Sequence, residues 1–351
     1  MICINVNTSK SYNVWIGEGA LSSAGGRIAE VCGEGAAMIV TDDIVNSLYG
    51  DVAEKSLREA GCATARFVYP HGEQSKNTET YIALLNALAE ANLTRPDIVI
   101  ALGGGVTGDL AGFAAATYLR GVRFAQIPTT LLAMVDSSVG GKTAVDLPAG
   151  KNLAGAFYQP DIVLCDTGIL NTLPEEIFRD GCAEIIKHGA ILSAELFAML
   201  KEPLPPQIDD VIARNVEIKR NIVAADEKDT GIRQILNFGH TLGHGIEKHS
   251  GYGVSHGKAV AIGMVIAARG AYRMGLCEKN CYDEIVGAVR RYRLPEETEL
   301  PPEALIEAAF YDKKRSRQSI TLILPKKIGE CVAKKFNLDE LSAFIKLAME
   351  P

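Results

Sequence analysis

His240, His244 and His256 are three of the six histidines in this 351-residue chain and lie within a stretch of seventeen residues in its second half. His240 and His244 are four residues apart, so on a helix their imidazoles share one face, and the chain can fold back to bring His256 beside them. Imidazole is a common zinc ligand, although helical histidine pairs also occur as ordinary hydrogen-bonded residues. The spacing predicts a metal-centred active site.

The residues around these histidines limit the reactions that such a site could catalyse. The metalloprotease motif needs Glu directly after its first His as general base, and Thr241 stands there instead, which disfavours peptide hydrolysis. Gly239, Gly243 and Gly245 each weaken a helix by about 1 kcal/mol relative to Ala. That cost indicates that something approaches the backbone closely here.

A glycine-rich segment, Gly103 to Asp109, directly follows an apolar strand predicted near residues 97–102 and fits the pattern GxGxxG. Between a strand and a helix, such a turn presents backbone N–H groups to a pyrophosphate. The alternative is a plain glycine-rich turn. The segment follows a late strand, and no acidic residue ends the next strand where ribose would be bound, so we predict a variant nucleotide site.

Two lysines lie beside further glycine-rich turns. Lys142 follows Gly140 and Gly141, and Lys151 follows Gly150. We expect both lysines on loops, where an ammonium group and an accessible backbone suit phosphate oxygens, and the alternative is solvated surface lysines. In a chain of net charge −7, the grouping favours an anion site.

The second half adds a carboxylate and more cations. Glu184 and Lys187 are three residues apart on one predicted helix, and taken alone they would form a surface ion pair worth about 0.2–0.5 kcal/mol. Next to a histidine-rich site, they could supply a metal ligand and a cation. Later polar residues are Lys219, Arg233, Asn237 and the group Asp312 to Arg315. Together these features indicate an enzyme that acts on a polyanionic small molecule.

The composition of the chain argues against several classes of protein. The apolar content is 47%, no apolar run reaches the roughly 18 residues that span a bilayer, and the N-terminus lacks a signal pattern, so a cytoplasmic protein without a membrane partner is expected. The net charge argues against non-specific nucleic-acid binding. The eight cysteines lack CxxC spacing and are expected to be reduced core residues.

The elements that position these residues change in character along the chain. Short β-branched runs in the first half predict strands at 37–41, 65–69, 97–102, 124–127 and 161–165. Their alternation with helical patterns predicts an α/β domain with a mainly parallel sheet, residues 1–174. Long amphipathic stretches such as 211–225 and 259–272 predict a mainly helical domain, residues 175–351, with a late hairpin at 319–332.

Taken together, these segments resemble the 3-dehydroquinate synthase family of sugar-phosphate cyclases, nearly from end to end. The most specific stretches are Gly103 to Asp109, Arg120 to Asp146, Lys151 to Pro160, Gly181 to Lys187, Leu236 to Glu247 with His256 and Gly257, and Asp312 to Lys314. The resemblance implies a Rossmann-like α/β N-terminal domain, a mainly helical C-terminal domain and a homodimer. It also implies NAD and one divalent metal ion, zinc or alternatively cobalt, as cofactors.

The implied reaction converts 3-deoxy-D-arabino-heptulosonate 7-phosphate into 3-dehydroquinate and phosphate, in the shikimate pathway of aromatic amino acid biosynthesis. Transient oxidation of a hydroxyl by NAD acidifies the neighbouring C–H, so that phosphate leaves by β-elimination. The metal polarises the adjacent oxygens as a Lewis acid. The hydride then returns, and ring opening with intramolecular aldol closure gives the carbocycle, so NAD is a catalyst and not a net oxidant.

The resemblance implies that Glu184, His240 and His256 are the metal ligands, in place of the helical pair His240 and His244. An oxygen donor with two neutral imidazoles suits zinc and leaves positions open for substrate hydroxyls. His244 would instead face the substrate phosphate and help to move protons. Lys142, Asn152, His244 and the late lysines would stabilise the leaving phosphate, itself a candidate base.

The remaining site residues are implied by position. The NAD site would comprise Asp42, His71, Gly72, Glu73, Gln74, Ser75, Lys76, Gly104, Gly105, Val106, Thr107, Gly108, Asp109, Thr129, Thr130, Lys142, Lys151, Ile169, Leu170, Asn171 and Thr172. Substrate contacts would be Arg120, reaching across the dimer, and Asp136, Asn152, Lys219, Arg233, Asn237 and Lys313 or Lys314. The catalytic residues would be His244, Lys187, Lys142 and Asp229. Arg233 with Lys219 would hold the substrate carboxylate.

Three positions depart from the family's usual pattern. Lys258 stands where Glu is usual, Asp229 where Glu is commoner, and Asp180 where a neutral residue is frequent. None of these changes removes an implied metal ligand. They bear on the residues around the metal site and on proton transfer by Asp229.

Three other functions fit these residues less well. Sugar-phosphate cyclases whose substrates lack a carboxylate should lack Arg233. Metal-dependent glycerol or alcohol dehydrogenases share the fold and a similar metal site, but the phosphate-binding lysines and Glu184 in place of Asp argue against a net oxidoreductase. The intact set of ligands and cations also argues against a non-catalytic relative.

Overall fold

The structure, a computed structural model, describes residues 1–33, 35–202, 204–251, 253–311 and 319–350. Within them the chain forms two compact units: the first unit comprises residues 1–174 and 208–228, and the second comprises 175–207 and 229–351. The predicted boundary after residue 174 coincides with the first junction between the units. The division into domains 1–174 and 175–351 stays a prediction.

The strands are, in chain order, Ile2–Val6 (β1), Tyr12–Ile16 (β2), Ala36–Asp42 (β3), Ala63–Tyr69 (β4), Ile98–Gly103 (β5), Arg123–Pro128 (β6), Lys142–Leu147 (β7), Gly150–Phe157 (β8), Ile162–Cys165 (β9), Ile320–Lys327 (β10) and Glu330–Phe336 (β11). The helices are Ala24–Cys32 (α1), Asp43–Val45 (α2), Asp51–Glu59 (α3), Thr78–Glu90 (α4), Gly105–Thr117 (α5), Glu175–Leu192 (α6), Ala194–Met199 (α7), Ile208–Ala225 (α8), His240–His249 (α9), His256–Arg273 (α10), Lys279–Arg291 (α11), Pro302–Tyr311 (α12) and Leu338–Met349 (α13).

The first unit is built on a seven-stranded sheet of order β1-β2-β9-β6-β5-β3-β4. Only β1 and β2 pair in antiparallel fashion, and the other neighbours are parallel. Residues on alternate faces enter two separate cores, for example Ile39 and Ile100 on one face and Met38 and Val99 on the other. Burial on both faces explains the continuous apolar runs of the sequence, and the predicted α/β fold with a mainly parallel sheet is confirmed.

A separate antiparallel hairpin of β7 and β8 carries Lys142 and Lys151. We expected both lysines on loops, and that expectation was wrong. No residue of β8 is fully buried, and Leu153, Gly155 and Phe157 are exposed, so its sequence lacks the continuous buried apolar run of the central strands. β8 is therefore held by its antiparallel pairing with β7 and not by burial of an apolar face.

The second unit is mainly helical. In α10, thirteen of the eighteen residues are buried, which accounts for the apolar stretch predicted as a helix at 259–272. The predicted late hairpin is present as β10 and β11. In the described part of the chain, no helix combines the length and the apolarity that crossing a membrane requires.

Candidate active site

The residues predicted to bind NAD in the first unit follow the carboxyl ends of parallel strands. Asp42 ends β3, residues 71–76 follow β4, residues 104–109 follow β5, Thr129 and Thr130 follow β6, and residues 169–172 follow β9. The carboxyl ends of parallel strands lie at one edge of the sheet, where α/β proteins bind nucleotides. The fold therefore brings segments far apart in sequence to one edge.

The glycine-rich turn lies between a strand and a helix, as predicted. β5 ends at Gly103, α5 begins at Gly105, and the first turn of α5 contains no acidic residue. Its N-terminal N–H groups and helix dipole therefore favour an anion. The Thr129 N–H donates to the Gly103 carbonyl oxygen at 3.0 Å, which ties the segment after β6 to the turn.

A buried lysine joins the NAD segments to a predicted substrate residue. The Nζ of Lys76 lies 2.5 Å from Asp109 Oδ2 and 2.6 Å from Asn152 Oδ1. Burial lowers the pKa of Lys76, but the nearby carboxylates of Asp109 and Glu73 outweigh it and raise that pKa, so the lysine stays charged. Lys151 adds an ion pair with Glu73 at 3.3 Å.

Two residues that the sequence did not indicate support this edge. Asp43 Oδ1 accepts from the backbone N–H of His71 at 2.9 Å and lies 2.9 Å from Nδ1 of the same residue. The Tyr49 hydroxyl contacts the Thr172 hydroxyl and lies 3.3 Å from the Ile169 carbonyl oxygen. Neither residue has a motif of its own. Only the three-dimensional contacts identify them.

Two predicted substrate residues, Asp136 and Lys219, are paired in the first unit. Lys219 lies on α8 and donates to the Asp136 carbonyl oxygen at 2.6 Å and to the Asp136 carboxylate. Lys219 is buried and Asp136 is partly buried, so the pair is shielded from bulk water.

Arg120, another predicted substrate residue, lies on an exposed turn with a left-handed φ of 66°.

The second unit brings the three implied metal ligands together. Glu184 lies in the middle of α6, whereas His240 and His256 are the first residues of α9 and α10. Glu184 Oε1 is 3.2 Å from His256 Nε2 and 3.5 Å from His240 Nε2. One donor atom from each residue lies within 4.8 Å of the others, a spacing that suits a single cation.

Close packing of α9 against α10 explains why these histidines meet. Gly239 has a left-handed φ of 78°, and a Cβ there would lie 2.6 Å from the Val260 carbonyl oxygen. A Cβ on Gly243 would lie 3.0 Å from the Ala259 carbonyl oxygen. The close approach indicated by the glycines is thus an approach of helix backbones, which only residues without a side chain permit.

The hydrogen bond of His240 leaves one ring nitrogen for a metal ion. Nδ1 of His240 lies 3.2 Å from the Phe238 carbonyl oxygen, which only accepts hydrogen bonds, so this nitrogen carries a proton and Nε2 is left for a metal. His256 also directs Nε2 toward Glu184. One carboxylate oxygen and two imidazole nitrogens form a donor set that suits zinc. The residues therefore fit a divalent metal ion.

Burial and neighbouring charges shift the pKa values of all three residues in the metal-free site. Burial raises the pKa of Glu184, but Lys187, in contact with it, and His240 outweigh burial and hold that pKa well below its usual range. Burial and the Lys187 charge lower the pKa of His240. For His256, burial favours the neutral ring, but the Glu184 and Glu247 carboxylates outweigh it and raise the pKa to about 10.

His244 lies near this cluster without joining the same donor set. Its ring centroid is 5.5 Å from that of His240 and 6.1 Å from that of His256, and its side chain is exposed. A second possible donor set combines His244, Glu247 and His256. Among the described residues of this unit, no possible donor set contains both His240 and His244.

The other predicted residues of the second unit have contrasting surroundings. Arg233 is buried, whereas Asn237, on the same short helical turn Ile232–Asn237, is exposed. Asp229 has a left-handed φ of 56°. Lys313 and Lys314 lie outside the described residues.

The start of α10, and with it His256, is held by Asp180 of α6. Asp180 Oδ1 accepts from the Ser255 hydroxyl at 2.7 Å, and the carboxylate also accepts from the backbone N–H of Lys258. Ser255, the residue before α10, makes no capping bond through its own side chain. Asp180 therefore caps the helix from a neighbouring element, and two of the unusual residues, Asp180 and Lys258, meet at this point.

Replacing Asp180 should therefore destabilise the second unit. We expect Asp180→Ala to lower the free energy of unfolding by about 1 kcal/mol, the usual cost of a lost N-cap. Urea unfolding measures this loss. Asp180→Asn keeps the acceptor and should lose less than half as much, so an Asp180→Ala variant as stable as the wild type would show that the cap is unimportant.

Comparisons with known proteins identify the family of the chain. Residues 66–180 match the model of the 3-dehydroquinate synthase N-terminal family, and residues 181–315 match that of the C-terminal family. The 3-dehydroquinate synthase of Clostridium acetobutylicum is 41% identical over 344 residues, which cover 96% of this chain and 97% of the relative.

Two solved structures share the fold. A 2-deoxy-scyllo-inosose synthase complexed with carbaglucose-6-phosphate, NAD⁺ and Co²⁺ has a TM-score of 0.89 at 25% identity, covering 98% of this chain and 99% of the other. The 2-epi-5-epi-valiolone synthase of Streptomyces hygroscopicus, with NAD⁺ and Zn²⁺ bound, has a TM-score of 0.87 at 26% identity and covers 98% of both chains. The chain belongs to the 3-dehydroquinate synthase family.

Proposed function

We propose that the protein converts 3-deoxy-D-arabino-heptulosonate 7-phosphate into 3-dehydroquinate and phosphate, the reaction of the family to which it belongs. The observation that supports this most strongly is the convergence of Glu184, His240 and His256 beside the buried cation of Lys187. A carbon–oxygen lyase of this kind needs both a metal site and charges that stabilise developing anions.

The three converging residues of the second unit would hold one zinc ion, with cobalt as the alternative. Zinc supplies a Lewis acid that polarises a carbonyl group and acidifies bound hydroxyls. Three protein ligands leave coordination positions open for substrate oxygens, as catalytic zinc sites do. Lys187, in contact with Glu184 and buried, places a positive charge beside those open positions.

The strand ends of the first unit would hold NAD, which supplies reversible hydride transfer. The N–H groups at the start of α5 would receive its pyrophosphate. Asp109 and Lys76 then set the position of the turn relative to Asn152. The remaining NAD residues have the roles that the resemblance gives them.

The substrate would be bound through its two anionic groups. In the second unit, Arg233 is proposed for the carboxylate and His244 for the phosphate and for proton transfer. In the first unit, Lys219 is proposed for the carboxylate, and Lys142 and Asn152 for the phosphate. Asp136, Asn237 and Asp229 are proposed to contact substrate hydroxyls or to move protons, and Arg120 is proposed to act across a homodimer.

The alternative functions are less well supported. A cyclase whose substrate lacks a carboxylate should lack Arg233, which this chain has in a buried position. A glycerol or alcohol dehydrogenase has no use for a set of phosphate-binding lysines. The full-length similarity to 3-dehydroquinate synthases also favours the lyase.

One assay separates these functions. The purified protein is incubated with NAD, zinc and the heptulosonate phosphate while free phosphate and NADH are followed. We expect one phosphate per substrate consumed without accumulation of NADH. Net NADH formation from a simple polyol, with no phosphate released from the heptulosonate, would establish the dehydrogenase instead.

Zinc affinity should depend on pH. In the metal-free protein His256 has a pKa of about 10, so it is protonated at neutral pH and must lose a proton to bind zinc. Raising the pH toward 10 removes that proton, and the apparent affinity should rise about tenfold per pH unit between pH 7 and 9. Competition with a chelator of known affinity measures the slope, and a flat profile would show that His256 is already neutral.

A further inference from the structure

The ring of His256 lies between two carboxylates from different helices. Glu184 Oε1 of α6 lies 3.2 Å from its Nε2, and Glu247 Oε2 of α9 lies 3.3 Å from its Nδ1. The two nitrogens of an imidazole point to opposite sides of the ring. A metal bound at Nε2, beside Glu184, therefore leaves Glu247 on the far side of the ring.

Glu247 is itself buried, with 4% of its surface exposed. A buried carboxylate is costly unless it accepts hydrogen bonds or pairs with a cation. The packing of α9 on α10 through Gly243 brings this part of α9 to the first residue of α10. The same packing that joins the two histidines thus also delivers a carboxylate to Nδ1 of His256.

Glu247 could also be a metal ligand, because it forms a possible donor set with His244 and His256. The burial of the residues favours a different role. Glu184 is buried and within 3.5 Å of both His240 Nε2 and His256 Nε2, whereas His244 is exposed. A cation gains most where its donors are already held and shielded from water, which is the Glu184 side of the ring.

We propose that Glu247 is a positioning residue that accepts a hydrogen bond from Nδ1 of His256 and thereby fixes the ring and its tautomer for zinc. This inference rests on the proposed metal site and assigns a role to a residue outside it. Outer carboxylates of this kind orient a histidine ligand and increase its basicity, and their loss costs about 10- to 100-fold in metal affinity.

The test compares the zinc affinity of the wild type, Glu247→Gln and Glu247→Leu by chelator competition. The Gln side chain keeps the shape and one weaker acceptor, so we expect a loss of about tenfold, and for Leu a loss of about 100-fold. Glu303→Gln on α12 of the same unit, whose side chain is 68% exposed, is the matched control and should keep wild-type affinity.

A second measurement separates positioning from general structural support. Cobalt-loaded Glu247→Gln should show altered visible absorption bands, because the geometry of one ligand changes, whereas a loss of general structural support would lower the urea unfolding midpoint without moving the bands. Unchanged affinity and unchanged bands in Glu247→Gln would overturn the inference, even if Glu247→Leu fails to fold. A wild type that binds no zinc would instead overturn the proposed metal site.

Discussion

The His256→Ala variant is expected to lose tight zinc binding, whereas His244→Ala is expected to retain it. His256 Nε2 lies 3.2 Å from Glu184 Oε1 in the buried donor set, and His244 is exposed and outside that set. Removing a direct ligand should reduce zinc affinity by more than the 10- to 100-fold that loss of an outer partner costs. His244→Ala should instead reduce turnover by about 10²- to 10⁴-fold, the contribution of a residue that transfers protons.

Metal content after dialysis, together with steady-state phosphate release, distinguishes the two histidines. Zinc at one equivalent in His244→Ala and near zero in His256→Ala is the expected pattern. Equal loss of zinc in both variants would contradict the assignment of ligands and would favour the donor set of His244, Glu247 and His256.

Replacing Lys187 is expected to reduce both stability and turnover. Its side chain is almost completely buried and contacts Glu184. Lys187→Met leaves the Glu184 carboxylate buried with one cation fewer. Breaking a buried pair costs about 3–5 kcal/mol, and we expect about 3 kcal/mol in the metal-free protein because His256 partly compensates. Bound zinc supplies a replacement charge, so the loss should shrink in the zinc-loaded protein, while turnover stays low.

Urea unfolding of the metal-free and zinc-loaded forms measures this difference. Lys279→Met, which removes an exposed ion pair with Asp283 on α11, is the matched control and should leave both stability and turnover unchanged. An equal loss of stability with and without zinc would mean that Lys187 supports the fold and does not balance the charge of Glu184.

The sheet of the first unit was predictable because its strands are buried on both faces. The runs at 37–41 and 97–102 correspond to β3 and β5, within one residue at each end. The hairpin of β7 and β8 is not predicted, because Gly150 and Gly155 interrupt the apolar residues of β8 and none of its residues is fully buried. The helix predicted at 211–225 is present as α8, but periodicity cannot show that it joins the first unit.

The metal site shows a similar limit. Helical spacing places His240 and His244 on one face of α9, and their rings are indeed adjacent. Spacing alone does not reveal which histidine lies beside a carboxylate contributed by α6. The sequence pattern indicates Glu184 as a possible ligand, and the family resemblance groups it with His240 and His256. Glu247, Asp43 and Tyr49 carried no sequence signal, because their contacts depend on helix packing or on chain segments far apart in sequence.

The unusual residues Asp180 and Lys258 have a physical explanation only as a group. Each looks like an isolated departure in the sequence. In the structure the Asp180 carboxylate accepts from the Ser255 hydroxyl and from the backbone N–H of Lys258. The positive charge of Lys258 also offsets part of the rise that burial causes in the pKa of Asp180. The structure offers no comparable explanation for Asp at position 229.

The most direct test of the central claim follows the hydride. A substrate deuterated at the carbon that bears the oxidised hydroxyl is converted by the zinc- and NAD-loaded protein, and the product is analysed by mass spectrometry. The proposed function predicts 3-dehydroquinate that retains the deuterium, with one phosphate released per product and no deuterated NADH. Deuterium that accumulates in reduced NAD, with an unlabelled product, would contradict it.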